Sequence, residues 1–288
     1  MIILTGAGGF IGSVVLGYLN KQGIEDIVLF DDLPYSDQFR NLVGKKYISL
    51  HSTAEMPQDA SGFTAVIHIG ADSSTLQRDW NKLYETNVLS TRRWNRFCTD
   101  GNIPFIFTSS AAVYGNGSGP LNHYAFSKQV SENEIDGVAL RLFNVYGPNE
   151  SHKGRMASTI YHWYNQLQES ETIKVFENSN QYRRDFIWVE DVASTIYHFL
   201  QNYQPGVYDL GTGESVDFES IANIVINENG KGTKTYIPMP EDLKAQYQLD
   251  TRADISALKS VGVNTDLFLE PWQGIKEYFK YLSTKSYY

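Results

Sequence analysis

The chain has 288 residues, 42% hydrophobic and 20% charged, an ordinary globular composition with room for one large domain or two unequal ones. Its formal net charge of −9 and pI near 5.2 set up a field that repels polyanions, which argues against non-specific binding to nucleic acid or to an anionic membrane. A single cysteine, Cys98, excludes an intrachain disulfide, and no apolar run approaches the roughly 18 residues that span a bilayer.

The first segment, MIILTG, reads as a buried strand and not a signal peptide, since it has no basic flank and runs into a glycine-rich turn. With the unpaired cysteine, this predicts a reducing, cytoplasmic setting. FIGSVVLGYLNKQG is a helix closing at Gly23, and DIVLFDD is the second strand. The stretch from Phe39 to Phe63 is short and shows no convincing helix. TAVIHIGA and IPFIFTSS are further strands, separated by a helix over roughly 78–100 in which Cys98 packs. The helical HYAFSKQVSENEI and the strand VALRLFNVYG complete the first half. Continuous apolar strands alternating with helices predict a parallel sheet covered on both faces.

The second half is mixed. STIYHWYNQLQES is a helix, IKVF and RDFIWV are short strands, EDVASTIYHFL is a helix, GVYDLGTG is a strand and another helix follows. The last helix, PWQGIKEYFKYLSTK, starts at Pro271, where proline fits a first turn. No repeat or linker divides the halves, so a shared interface with a ligand cleft is expected.

Three groups of residues carry chemistry. TGAGGFIG places Gly6, Gly9 and Gly12 between a strand and a helix, where glycine lets the backbone approach a pyrophosphate and the helix N-terminus offers free N–H groups. Asp31 and Asp32 close the next strand about 20 residues on, where a ribose contact belongs. Asp31 suits the ribose hydroxyls of NAD, whereas a 2′-phosphate needs a cation, for which Arg40, Lys45 and Lys46 are nearest. HYAFSK sets Tyr124 and Lys128 four apart on one helix face, so that an ammonium can stabilise a phenolate whose free pKa is about 10. Ser109 and Ser110 end the strand before it, and either hydroxyl could bond the same substrate oxygen. NESHKGRMAS gathers His152, Lys153 and Arg155 in an acidic protein, as a solvated loop or as a proton-transfer and anion site. In YRR, Arg184 is the better candidate for a diphosphate, with Arg183 beside it, while Trp188 and Tyr236 read as packing.

These motifs resemble the extended short-chain dehydrogenase/reductases over nearly the whole chain. The segments RLFNVYGPNESHKGRMAS, KVFENSNQYRRDFIWVEDVA, YDLGTG and IPMPEDLKAQYQ are similar to those of the ADP-glycero-manno-heptose 6-epimerases. The resemblance implies an α/β fold: a Rossmann doubly wound parallel sheet from 1–145 plus about 188–213, and a smaller mixed α/β substrate-binding domain from 146–187 plus about 214–288. It implies an isomerase that takes hydride from C6″ of the sugar, lets the carbonyl turn, and returns hydride to the other face. Tightly bound NADP, or NAD, would serve as cofactor. The catalytic residues would be Ser110, Tyr124, Lys128 and Lys153, two bases being needed because the sugar oxygen changes position. The cofactor would lie on Gly6, Gly9, Phe10, Ile11, Gly12, Asp31, Asp32, Ile69, Gly70, Ala71, Asp72, Ser73, Asn87, Lys128 and Val145. The sugar nucleotide would lie on Ser110, Asn144, Arg155, His162, Phe176, Glu177, Asn178, Ser179, Arg184 and Tyr247, with no metal. A homo-oligomer feeding lipopolysaccharide inner-core assembly is the expected context.

The chain departs from that pattern at Arg155, where the family has serine, and at Gln38, where it often has a lysine. Only eight residues, 116–123, separate VYG from Tyr124. A hexose 4-epimerase would share the first half but gives no reason for His152-Lys153-Gly154. A 4,6-dehydratase commonly uses an acidic pair where this chain has Ala111-Ala112. A non-catalytic nucleotide-binding relative would not need Tyr124 and Lys128.

Overall fold

The structure is a computed structural model that describes residues 1–244 and 247–288. The first half runs β1 (Ile2–Thr5), α1 (Phe10–Lys21), β2 (Ile27–Phe30), β3 (Ser49–His51), β4 (Ala65–His68), α2 (Trp80–Leu83), α3 (Ser90–Gly101), β5 (Phe105–Ser110), α4 (His123–Glu134) and β6 (Val138–Leu142). A π-helical stretch, Tyr84–Leu89, joins α2 to α3. The second half runs β7 (Asn144–Tyr146), α5 (Thr159–Ser170), β8 (Thr172–Phe176), β9 (Arg183–Arg184), β10 (Phe186–Trp188), α6 (Val189–Gln201) and β11 (Gly206–Leu210). It ends with β12 (Val216–Asp217), α7 (Phe218–Asn229), β13 (Thr233–Ile237), α8 (Glu241–Lys244), β14 (Asp250–Thr251), α9 (Ser256–Ser260) and α10 (Pro271–Thr284).

Seven parallel strands form one sheet in the order β11-β6-β5-β4-β1-β2-β3. β1 lies between β2 and β4, with Thr5 level with both Phe30 and His68. The strand order reverses there, so the loops leaving β1, β2 and β4 open a crevice at the carboxyl edge. Side chains alternate across the sheet: Ile2 and Leu4 pack with α1 and α6, while Ile3, Val66 and Phe105 pack with Trp94 and Cys98 of α3. Burial pushes the Cys98 thiol up to about 12, so it behaves as a packed hydrophobe. A separate apolar cluster joins Trp163 of α5, Val175 of β8, Trp188 of β10, Ile221 of α7 and Tyr278 of α10. Among the described residues no helix is long and apolar enough to cross a membrane.

Three expectations change. VALRLFNVYG is two strands, broken at Phe143. β6 pairs with β5 and β11, then the chain leaves the main sheet and β7 pairs with β10 instead. RDFIWV likewise splits around Asp185, because β9 joins β12 and β14 while β10 joins β7. The compressed 39–63 segment contributes an edge strand, β3, preceded by a 3₁₀ turn at Gln38–Leu42. Three residues, Ser-Leu-His, are too short a run for β3 to be legible.

Candidate active site

The turn after β1 is shaped for close backbone approach. Gly6 has φ +67°, and a Cβ there would lie 2.6 Å from the Gly70 nitrogen. A Cβ on Gly12 would lie 2.0 Å from the Gly6 carbonyl oxygen, so only glycine lets α1 pack against the strand end. Gly9 begins α1 with no side-chain cap, which leaves the first-turn N–H groups and the helix dipole for an anion. Phe10 is buried and Ile11 half-buried on that first turn.

Asp31 sits at the end of β2, accepting from the Gly8 N–H at 2.9 Å and the Leu33 N–H at 2.8 Å. Burial raises its pKa, and those N–H groups work against the rise. Asp32 faces the other way, accepting from the Ser52 hydroxyl at 2.7 Å and the Thr53 N–H at 2.9 Å. Desolvation acts to raise its pKa, but these bonds outweigh it and hold the carboxylate below its ordinary value. The three candidate cations for a 2′-phosphate are engaged elsewhere. Arg40 is exposed and 3.7 Å from Asp37, Lys46 pairs with Glu25, and Lys45 donates to the Tyr288 carbonyl. Gln38 is buried, with its amide 3.4 Å from Asp31.

Ile69, Gly70, Ala71, Asp72 and Ser73 follow β4 at the same edge. Asn87, in the π-helical stretch, grips Asp72 on both backbone sides: its Oδ1 accepts from the Asp72 N–H at 2.8 Å, and its Nδ2 donates to the Asp72 carbonyl at 3.0 Å. A third bond, 2.9 Å to the Ser127 hydroxyl, fixes this segment to α4. Val145 is half-buried on β7.

Tyr124 and Lys128 are both buried on α4, which Asn122 caps through the Ala125 N–H at 2.9 Å. Burial raises the Tyr124 pKa, and a hydrogen bond with Ser110 opposes the rise. Lys128 donates to the Thr108 carbonyl at 2.8 Å, and desolvation lowers its pKa to about 7. Ser110, the last residue of β5, also accepts from the Ala112 N–H at 3.2 Å. Ser109 points elsewhere, donating to Glu132 at 2.8 Å.

Lys153 belongs to a 3₁₀ turn, Ser151–Met156, bent at Gly154 (φ 52°). Its ammonium lies 5.3 Å from the centre of the Phe10 ring. Burial lowers its pKa, and the carboxylate of Glu150 acts the other way. Glu150 is itself buried and accepts from the Ser158 hydroxyl at 2.6 Å and the Tyr278 hydroxyl at 2.9 Å. Arg155 is exposed, and among the described residues its guanidinium has no ion pair or hydrogen bond. His162 lies 3.4 Å from the Arg155 carbonyl, with its ring against that of Tyr161.

On the other side, the guanidinium of Arg184 lies 4.7 Å from the Tyr247 ring centre and 5.7 Å from that of Phe218. Phe176 meets the same tyrosine edge-on at 6.4 Å. Arg184 is buried, donates to the Arg183 carbonyl at 2.7 Å, and has no acid within ion-pair distance among the described residues. Desolvation lowers its pKa. A buried arginine without a counter-charge is costly unless an anion joins it. Gln248, next to Tyr247, donates to the Gly115 carbonyl and ties this cluster to the loop before α4.

Other expected substrate residues stand apart. Asn144, Glu177 and Asn178 are exposed, and Ser179 is buried, donating to Glu219 at 2.7 Å. Arg183 is taken up by Ser215 at 3.1 Å and Asp217 at 3.6 Å, which leaves Arg184 as the member of the pair without an acidic partner among the described residues. Tyr236 is not packing: it is half exposed and donates to Glu219 at 2.9 Å. Asp185, passed over in the sequence, is fully buried and accepts from the Thr212 N–H (2.7 Å), the Thr212 hydroxyl (2.8 Å), the Gly213 N–H (2.9 Å) and the Ala253 N–H (3.1 Å). Its place between two arginine-bearing strand residues and a Gly-Thr-Gly turn was the only signal available. Among the described residues no group of His, Cys, Asp or Glu could hold a metal ion.

Residues 2–211 match the model of the NAD dependent epimerase/dehydratase family. The chain belongs to that family. Three solved structures illustrate how the family shares this fold. The UDP-N-acetylglucosamine 4-epimerase from Methanobrevibacter ruminantium M1, in complex with UDP-N-acetylmuramic acid, has TM-score 0.86 and 22% identity over 99% of this chain and 98% of that one. The ADP-L-glycero-D-manno-heptose-6-epimerase of Helicobacter pylori has TM-score 0.85 and 25% identity over 98% of this chain and 96% of that one. The UDP-glucuronic acid 4-epimerase from Bacillus cereus, in complex with UDP-glucuronic acid and NAD, has TM-score 0.84 and 22% identity over 99% of both. A nicotinamide cofactor, NAD or NADP, is typical of this family.

Proposed function

We propose that this epimerase/dehydratase family member inverts C6″ of an ADP-glycero-manno-heptose by transient oxidation and re-reduction. The observation that carries the reading is a pair of proton carriers on separate elements: Tyr124 on α4, bonded to Ser110, and Lys153 above Phe10 at the start of α1. A nicotinamide dinucleotide held by the glycine turn and Asp31 would supply the hydride exchange at C6″, a secondary alcohol carbon whose oxidised form is a ketone.

Tyr124 exchanges a proton with the C6″ oxygen in one half-reaction, and Ser110 holds that oxygen against the phenol. Buried with a raised pKa, Tyr124 rests as the protonated phenol, and its hydrogen bond with Ser110 favours the phenolate when a proton must be taken. Once the ketone turns, its oxygen lies outside Tyr124's reach, and Lys153 serves the other half-reaction. Its lowered pKa suits a group that both gives and takes protons. Arg184, with Tyr247 and Phe176, receives the diphosphate end, where its planar donors bind two oxygens at once. Ala111 and Ala112 leave no acidic pair for a dehydration step.

The resemblance implied NADP, but we read the site as one for NAD. Asp31 ends β2, where a ribose contact is expected, and Arg40, Lys45 and Lys46 are engaged elsewhere. NADH should bind at least about tenfold more tightly than NADPH, and equal affinities would reject the preference. One observation favours a second reading, an epimerase acting on an acidic UDP-hexose: Arg155 is exposed and unpartnered among the described residues where the resembling family has serine. Incubating the NAD-loaded protein with ADP-D-glycero-D-manno-heptose and, separately, UDP-hexoses decides between them. Conversion of the heptose is expected, and conversion of a UDP-hexose alone would reject the heptose reading.

A further inference from the structure

The loop that carries His152 and Lys153 is tied to the glycine turn through two buried asparagines. Asn41 is 1% exposed. Its amide donates to the Gly8 carbonyl at 2.9 Å and the Asn149 carbonyl at 3.1 Å, with His152 Nδ1 at 3.3 Å. Burial lowers the His152 pKa, which favours the neutral ring that can accept there. Asn149 is 6% exposed and sits in the left-handed region at φ 73°. Its amide donates to the Ser13 hydroxyl on α1 at 3.0 Å, and its Oδ1 accepts from the Tyr288 N–H at 3.0 Å. The partners of Asn41 and Asn149 are thus drawn from segments far apart in sequence.

Gly8 is held from both sides, its N–H by Asp31 and its carbonyl by Asn41. The same knot draws the 149–153 loop over α1, so that the Lys153 ammonium stands above Phe10. Tyr35 closes the outer side, its ring 5.7 Å from that of His152.

We propose that Asn41 and Asn149 form a buried knot that straps the 149–153 loop onto the phosphate turn and slows release of the dinucleotide. This rests on the turn being the cofactor site, and the test separates the two claims. NADH release is followed by stopped-flow fluorescence for the wild type, Asn41→Asp and Asn149→Gly. Asn41→Asp keeps the side-chain shape but sets an acceptor against two carbonyls. Asn149→Gly keeps the backbone angle and removes the bonds to Ser13 and Tyr288. Each variant should release NADH about tenfold faster, with the unfolding midpoint of the cofactor-free protein within a few degrees of wild type. Release within about twofold of wild type from folded variants would overturn the strap and leave the cofactor site standing. Failure of the wild type to bind NADH would overturn both. Should the variants not fold, hydrogen exchange of the wild type decides: NADH should slow exchange across 149–156 about fivefold or more, and unchanged exchange overturns the strap.

Discussion

Tyr124 and Lys128 stand one turn apart on a capped helix, buried against the end of a central strand. Lys153 stands on a 3₁₀ turn bent at a glycine, held by side chains from distant segments. The first arrangement is set by local geometry, since residues four apart on a helix share a face whatever the rest of the chain does. The second exists only after the sheet, the 38–42 turn and the last residues have all come together. The proposed inversion would draw on both: one proton carrier fixed on a regular helix, and a second whose place depends on contacts between distant segments.

The largest effect expected is at the rigid end. Tyr124→Phe removes the proton carrier but keeps the ring, and turnover should fall about 10³-fold with NADH binding unchanged. A loss below about tenfold would move acid–base duty away from α4. At the loop end, Lys153→Ala should lower epimerisation about 10²-fold with the cofactor still bound. Near-normal turnover there would reduce Lys153 to an anion contact.

Those two ends were unequally legible in the sequence. Gly6-x-x-Gly9-x-x-Gly12, Asp31 and Tyr124-x-x-x-Lys128 lie at strand ends and on one helix, where period and spacing already place them. The break at Phe143 was not legible, because an apolar run looks the same whether its hydrogen bonds go to one sheet or two. Asn41 and Asn149 were missed because their roles arise from contacts 108 and 136 residues apart in sequence, and neither residue carries a spacing signal. Arg184 was already the better anion candidate of the adjacent pair, and strand alternation supplies the physical reason, sending Arg183 to Ser215 and Arg184 into the aromatic cluster.

Two further substitutions sharpen the contrast through stability. Asp185 holds the segments that carry Thr212 and Ala253 by four hydrogen bonds, and Asp185→Ala should cost about 3 kcal/mol in urea unfolding. Among the described residues no carboxylate pairs with the buried Lys128, so Lys128→Met should raise the melting temperature of the cofactor-free protein by a few degrees at pH 7 while abolishing turnover. The pH dependence has a definite sign. With the folded pKa lowered to about 7, the unfolded chain binds more protons above that pH, so wild-type stability gains as pH rises from 7 toward the ordinary lysine value. The advantage of Lys128→Met should therefore shrink between pH 7 and about 10, and a constant advantage would mean that Lys128 is not desolvated. The smallest effect belongs to the exposed Arg155: Arg155→Ser should raise the substrate KM about threefold to tenfold with kcat unchanged, and an unchanged KM would leave Arg155 in solvent.

Internal redox inversion at C6″ is tested most directly with ADP-D-glycero-D-manno-heptose carrying deuterium at C6″, incubated with the NAD-loaded protein in ordinary water. The inverted product should keep its deuterium at C6″, because the same hydride leaves and returns. Inversion with the label lost to solvent, or no inversion at all, would contradict it.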